Sequence, residues 1–587
     1  MQTSSKSVRS ILKLAVIGLM LLLIASPADS APPPQESTIT LVVLGRVVDT
    51  HGNGVANASV SIYVGGVKAE VGSYSEGSSD STRTQFDGSY IAHIEITPEL
   101  AESLRTGKTK IAVEVSKPTY LTVRQGIIGR RIARDSNYCY VEVPEIVLPH
   151  VKKAAFFIAV GIFLLVLTLI GFKVVHETVA SLLGASLMLG VSYILGTFDR
   201  DFRIISFERA ISFIDFDVIF LVMSLMIFVA LLSRTGLFQW LAFQAYKLGG
   251  GKPYVIAGAL SLLTAFISAF LNNVTVMLLI GPVTIEMALM LGIHPVSFLI
   301  PEVLASNVGG AATLIGDPPN TIIGSYAHLS FNEFLLNLGP VVLLSYLALM
   351  AVVFLLYRGQ YRRKMEEPSP ELLEQLKREA AIKDKATLKK TLLVAVITVM
   401  LFFSGELFKA PPGVVALLGA TALLLWVRPG VEEMLKEVDW TTLVFFMSLF
   451  IMVGGIYEVG LIHMVADFVR NLAGGSLTVT ALFLIWVSAL FSALVANIPF
   501  TAAMLPVVAY LTSTIPGASN NALYWALAMG ACFGGNATTI GAAANIVTVG
   551  LADRAGYEIG FADFLKVGLP ATVATLVVAS LWMIIRY

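Results

Sequence analysis

Amide, hydroxyl and glycine residues recur in this chain as two matched sets, and both are spaced for binding rather than for bond-breaking. The first set is Ser268, Asn272, Asn273 and Thr275, followed by Asn307, Gly309, Gly310, Thr313, Asp317 and Asn320. The second is Ser492, Asn497 and Thr501, followed by Gly534, Gly535, Asn536, Thr538, Thr539 and Asn545. Neutral side-chain oxygens and freed backbone carbonyls coordinate small cations, and backbone N–H groups at helix starts attract anions. A small ion is therefore the expected substrate, with sodium a candidate at the Asn-containing segments and sodium or a proton as the coupling ion. Neither a Gly-x-x-x-x-Gly-Lys phosphate loop nor a His-Glu-x-x-His metal motif occurs, so no enzyme activity and no organic cofactor are expected.

The surroundings of these residues are apolar. The chain has 587 residues, 56% hydrophobic and only 14% charged, against roughly 25% charged in soluble domains, and its net charge is zero. That composition is of a membrane protein in contact with lipid, and it gives no reason to expect a nucleic-acid partner. Apolar crossings are predicted near residues 154–172, 178–197, 217–235, 297–324 and 333–357, then near 389–407, 412–428, 440–460, 523–551 and 564–585. Two further apolar pieces, near 254–290 and 477–514, carry a polar break at mid-length and are read as re-entrant hairpins.

The two halves repeat each other. Ile214 to Leu237 aligns without gaps to Val438 to Leu461 at an offset of 224, with Asp215, Met223, Ser224 and Gly236 meeting Asp439, Met447, Ser448 and Gly460. The same offset pairs Ser268 with Ser492, Asn273 with Asn497 and Pro282 with Pro506. One residue more lays "GGAATLIGDPPN" (Gly309 to Asn320) on "GGNATTIGAAAN" (Gly534 to Asn545), identical at seven of twelve positions. Taken singly, each small residue is a helix-packing contact; their duplication as sets is what points to function.

Five crossings per half is an odd number, so the second copy must sit inverted relative to the first. Inverted repeats with interrupted helices are the pattern of secondary transporters, whose sites lie where half-helices end. Irregular backbone cannot face lipid, so the four breaks should line a cavity or protein, forming two sites. Asp317 and Glu302 lie within the broken crossing. Asp317 is a candidate for proton or cation coupling and equally an N-cap for the half-helix after Pro318 and Pro319; Glu302, next to Pro301, is read as structural. Asp215 and Asp439, each just before an apolar run, are read as helix caps.

The ends and the linker set the expected orientation. Residues 1–30 have a basic start, an apolar stretch and small residues before a cleavage point, the pattern of a signal peptide. Residues 37–150 alternate in short runs divided by turn signals, a pattern expected to give a small antiparallel β-sandwich outside the cytoplasm. The stretch "GRVVDTHGNGVANASVSIYV" with "TQFDGSYIAHI" resembles the carboxypeptidase-regulatory-like, transthyretin-like module. Asn57-Ala58-Ser59 is a glycosylation sequon. Residues 358–390 are a charged linker with a helical second half, ten of them Lys or Arg, which places the linker in the cytoplasm. The expected domains are then membrane repeat one at 154–357 and inverted repeat two at 391–587, in the cytoplasmic membrane.

The motifs "LNNVTVMLLIGPVTI", "PEVLASNVGGAATLIGDPPNTII", "ANIPFTAAMLPV" and "GACFGGNATTIGAAANIV" closely resemble the arsenite-permease, P-protein and sodium–proton antiporter branch of the ion transporter superfamily, which includes the citrate-like divalent anion/sodium symporters. The resemblance spans roughly residues 155 to 587. It implies hairpins and broken helices that move against a scaffold, in a homodimer, by an elevator motion. In the P-protein and antiporter motifs an aspartate precedes each tip asparagine; here those positions are Asn272 and Ala496, so the tips are more similar to the Ser-Asn-Thr tips of the symporters. The function so implied is sodium- or proton-coupled transport of a small inorganic or carboxylate anion, with sodium–proton antiport or arsenite efflux as alternatives. A membrane sensor with an outer ligand-binding β-domain is the alternative of another class, and it would need a cytoplasmic output domain larger than this linker.

Overall fold

The computed structural model describes residues 39–587 apart from short gaps, the longest at 70–82, 149–153 and 363–373. The expected signal peptide, Asn57 of the sequon and much of the charged linker lie outside the described residues. The chain divides into a β unit before residue 150 and a helical unit from His150 to Tyr587.

In the β unit, alternation of apolar and polar residues puts every second side chain inside, as in β5 (Ile111–Ser116), where Ile111, Val113 and Val115 are buried. One sheet runs β4–β1–β8–β7, from Ser89–Ile96, Ile39–Asp49, Tyr138–Glu142 and Ile132–Asp135, with β9 (Ile146–Leu148) also on β1. The other runs β3–β2–β5–β6, from Val67–Lys68, Ser59–Val64, Ile111–Ser116 and Val123–Ile127. The expectation of a purely antiparallel module needs correction, because β1 pairs in parallel with both β8 and β9. A parallel pair needs a long crossover, and here the whole chain between β1 and β8 supplies it, helix α1 (Pro98–Arg105) included.

The helical unit begins with α2 (Ala154–Gly171), α3 (Glu177–Gly190) and α4 (Phe216–Arg234). A surface helix, α5 (Leu237–Gly249), leads to a hairpin of α6 (Pro253–Ser268) and α7 (Asn273–Met290). A broken crossing follows, α8 (Val296–Gly310) and α9 (Pro318–Tyr326), then α10 (Phe331–Leu356). The second half repeats the order: α11 (Lys385–Phe408), α12 (Pro412–Val427), α13 (Trp440–Glu458), α14 (Leu461–Leu472), the hairpin α15 (Leu477–Val495) and α16 (Asn497–Thr514), the broken pair α17 (Ala522–Gly534) and α18 (Ala543–Arg554), and α19 (Phe561–Arg586). Among the described residues nine helices are long and apolar enough to cross a bilayer, the hairpin arms α7 and α15 among them, and α6, α12 and the half-helices are shorter. Asp215 caps α4 through Val218 N–H, and Asp439 caps α13 through Thr441 and Thr442 N–H.

The halves interlock rather than lie side by side. α4 packs on α12 of the other half, and α13 packs on α3. The contacts repeat in kind: Gly413 N–H donates to the Asp217 carboxylate at 2.8 Å, and the Thr178 hydroxyl donates to the Thr441 carbonyl at 2.9 Å, where Thr441 is the offset-224 counterpart of Asp217.

Each hairpin also presses on its own broken helix. A Cβ on Gly309 would lie 2.2 Å from the Ala265 carbonyl oxygen, and one on Gly534 would lie 2.5 Å from that of Ala489. Both obstacles are backbone, and the pair is again related by the repeat, so glycine at these positions sets how closely hairpin and break approach. Gly309→Ala and Gly534→Ala should each lower the melting temperature of the detergent-solubilised protein, by the equivalent of about 1–3 kcal/mol for an overpacked core. Gly161→Ala, where an added Cβ meets nothing within 4 Å, should melt like the unaltered chain.

Candidate functional site

Breaking a helix inside the bundle frees carbonyls that lipid cannot satisfy, and the amide side chains answer that need first. Asn320, on α9, donates to the Ala311 and Thr313 carbonyls at 3.0 and 2.9 Å. Asn545, its repeat partner, donates to the Gly535 and Thr538 carbonyls at 2.8 Å each. Thr313 donates to the Ala269 carbonyl, and Thr538 to that of Ala493 at 2.6 Å, which ties each break to the end of the hairpin's first arm. Ser492 donates to Ala531 O at 2.7 Å, Thr501 to Asn497 O at 2.7 Å, and Ser268 accepts from Ser306 at 3.0 Å. Much of the candidate set therefore holds the unwound backbone in shape, with Gly309 and Gly534 as packing contacts. Gly310 is the last residue of α8 and Gly535 the C-cap of α17, and Thr539 is half-buried in the second break.

The remaining residues meet at one point. Asn273 Nδ2, in the first turn of α7, donates to Asn307 Oδ1 at 3.0 Å and to Asp317 Oδ1 at 3.2 Å. Asn497 Nδ2, in the first turn of α16, reaches the other Asp317 oxygen at 3.5 Å. Asn307 Nδ2 crosses between halves to Asn536 Oδ1 at 2.8 Å and Asn545 Oδ1 at 2.9 Å, and Asn536 Nδ2 returns to the Leu304 carbonyl at 3.1 Å. All six side chains are buried. The expectation of two separate sites is thus corrected: the hairpin ends and breaks share one network, because the amide and carboxylate side chains are long enough to bridge the two breaks where these cross.

Asp317 does not serve as a cap. It stands at the N-cap position of α9, yet its side chain makes no hydrogen bond to that helix. Its two oxygens face the two hairpins instead. Its repeat counterpart is Ala542, so one carboxylate serves both halves. Sequence reasoning missed Cys532, whose thiol points at Asn320 Oδ1 at 3.6 Å. The signal was present: the offset of 225 lays Cys532 on Asn307, so the Cys532–Asn320 contact mirrors Asn307–Asn545.

The two hairpin ends differ in backbone. Asn272 caps α7 by accepting from Val274 N–H at 3.0 Å. Ala496, its counterpart, adopts φ 82° and ψ 149°, a region nearly confined to glycine that costs of order 1–3 kcal/mol and persists only where the surroundings enforce it. Asn272 and Thr275, with Met226, Ile315, Pro318 and Thr321, line a pocket of about 20 Å³ beside α4, enough for a water-sized occupant. A much larger cavity, about 810 Å³, separates α4, α11, α12 and α13 from α9 and α16; Asp217, Ser325 and His328 are among its polar lining residues.

Interlocked halves, paired hairpins and paired breaks around a buried polar cluster define a multi-pass membrane transporter. Residues 162–530 match the family model described as Citrate transporter, and the chain belongs to that family. An uncharacterized transporter of Mycobacterium bovis is 39% identical over 431 residues, which cover 73% of this chain and 98% of the relative. The 46 kDa membrane protein of Mycobacterium leprae is 37% identical over the same shares, and the P protein of Homo sapiens is 32% identical over 512 residues, 73% of this chain and 60% of that protein. Among solved structures, the Alcanivorax borkumensis YdaH transporter matches with a TM-score of 0.48 at 14% identity, over 70% of this chain and 98% of that chain.

Asn307 holds the two halves together through two buried amide acceptors. Asn307→Ala strands both, and should cost about 1–3 kcal/mol for each group left unpaired. A melting curve of the purified protein should show the loss, whereas Asn471→Ala, on an exposed side chain near the end of α14, should leave the midpoint in place.

Proposed function

We propose that this chain is a secondary active carrier that moves a small inorganic or carboxylate anion together with sodium or protons, through an elevator-like displacement of the hairpins and broken helices against the rest of the bundle. The observation that carries this reading is the convergence of Asn273 and Asn497, one from each half, on the single carboxylate of Asp317. No Lys, Arg or His donates to this cluster among the described residues. An anion held beside Asp317 therefore needs a cation or a proton bound with it, which is the physical content of coupling. Membership of the citrate transporter family favours the carboxylate as cargo.

Asp317 also favours a second reading. One carboxylate facing two neutral amides suits a site that takes sodium and a proton in turn, which is sodium–proton exchange. The two readings part in proteoliposomes: labelled citrate and other small anions accumulate under a sodium or proton gradient only on the first, and a sodium gradient alone moves protons only on the second.

The cytoplasmic membrane is the proposed location, with the basic linker inside and the β unit outside. On that orientation the 810 Å³ cavity lies towards the outer side, because segments that line it, near Asp215, His328 and Pro411, join crossings at the end opposite the linker. The proposed assembly is a homodimer, on the family resemblance.

Asn273→Ala and Asn497→Ala should each abolish uptake while the protein still purifies as a folded species; normal uptake in both would remove the proposed site. Asp317→Asn, which keeps the shape and removes the charge, should erase the dependence of uptake on the coupling gradient. Gradient-driven uptake at the unaltered rate in that variant would retire Asp317 as the coupling group.

A further inference from the structure

A second carboxyl lies in the bundle, outside the Asp317 cluster. Glu302 sits in α8, 1% exposed, between that helix and α7. Thr284 Oγ1, on α7, donates to Glu302 Oε1 at 2.8 Å. Glu302 Oε2 is buried and has no hydrogen-bond partner among the described residues.

Packing does not require a carboxyl there. The repeat relation places Leu527 opposite Glu302 and Val508 opposite Thr284, and both of these hydrocarbon side chains are fully buried in the second half. The same architecture is thus filled once by Leu and Val and once by Glu and Thr. A buried polar group with an orphaned oxygen, in a place that apolar residues fill equally well, has a use other than packing.

The charges around it offer no ionic partner. Of the elements packed on α8, α6 and α17 carry no Asp, Glu, Lys, Arg or His, α7 carries only Glu286, and α10 only Glu333. α18 brings Asp553 and Arg554, and α19 brings Asp563, Lys566 and Arg586, all towards their ends. Tyr361, in the turn Arg358–Tyr361 that follows α10, stacks on Phe298 of α8 and is a neutral phenol. Its hydroxyl donates at 2.6 Å to the Ser297 carbonyl, which Pro301 leaves without its helical donor. No Lys, Arg or His is ion-paired with Glu302 among the described residues, so a salt bridge is not what this carboxyl is built around.

We propose that Glu302 is a proton-binding site, distinct from the Asp317 cluster, with Thr284 as its fixed hydrogen-bond donor. On loading, an O–H bond forms at Oε2; on release that bond breaks and the proton passes to water, leaving a carboxylate that keeps the Thr284 hydrogen bond. In the packed arrangement of α7 and α8 the proton is retained, and release follows when water reaches Oε2. The site holds one proton per chain whatever solute the carrier moves.

The test is infrared difference spectroscopy of the purified full-length protein, taken between buffers of about pH 5 and about pH 9, a range that brackets buried glutamates. The unaltered chain should lose a carboxylic-acid C=O stretch at the alkaline end. Glu302→Gln should lack that band, and Asp317→Asn should retain it, which separates this site from the proposed coupling group. The double variant Glu302→Leu with Thr284→Val, copied from the second half, should fold and also lack the band, so a missing signal is not mistaken for misfolding. A band that persists in Glu302→Gln, or one that is the same at both pH values, would overturn the proposal.

Discussion

A peptide group stripped of its helical partner has no solvent to turn to inside a bilayer, and the architecture of the helical unit follows from that one constraint. Each half breaks a crossing between two short helices, and each break is sewn by the same three devices. An asparagine seven to ten residues on takes two freed carbonyls, a threonine ties the break to the end of the hairpin's first arm, and a glycine lets that hairpin close against the helix. The hairpins are thus part of the solution to the breaks. Where the two solutions meet, their side chains share hydrogen bonds across the halves.

The near-symmetry makes its exceptions informative. Asn307 faces Cys532, Asp317 faces Ala542, Asn536 faces Ala311 and Glu302 faces Leu527 across the repeat. Three of these four substitutions gather at the crossing point of the breaks, where a symmetric pair of identical side chains would compete for one space. A single Asp317 between two amides puts one carboxyl at the centre, and a second aspartate at position 542 would put two carboxyls within reach of each other, which disfavours ionising both. The hairpin ends diverge for a related reason: Asn272 caps its helix, while Ala496 takes a strained turn that leaves Asn497 as the residue presented to Asp317.

The β unit has a different logic. Its core comes largely from alternation, as at Ile111, Val113 and Val115 on β5, while on β1 the consecutive residues Leu41, Val42 and Val43 are all buried. Alternation reports which residues face inward, yet says nothing about which strand lies beside which. The parallel pairings of β1 were invisible for that reason, since they join segments about a hundred residues apart.

By itself the sequence determined the crossings, the hairpins, the position of both breaks and the duplicated sets, because hydrophobic run length and a 224-residue repeat are local or self-referential signals. It also determined the family, through motifs that depend on residue order alone. Tertiary structure decided how the candidate residues divide between duties: Asn320, Asn545, Thr313 and Thr538 hold the backbone, while Asn273, Asn497 and Asp317 face one another. It also decided that Asp317 is no cap and that Glu302 is left with a bare oxygen. Those outcomes depend on which buried donor reaches which acceptor in three dimensions, and a hydrogen bond between residues 180 positions apart leaves no periodic trace along the chain.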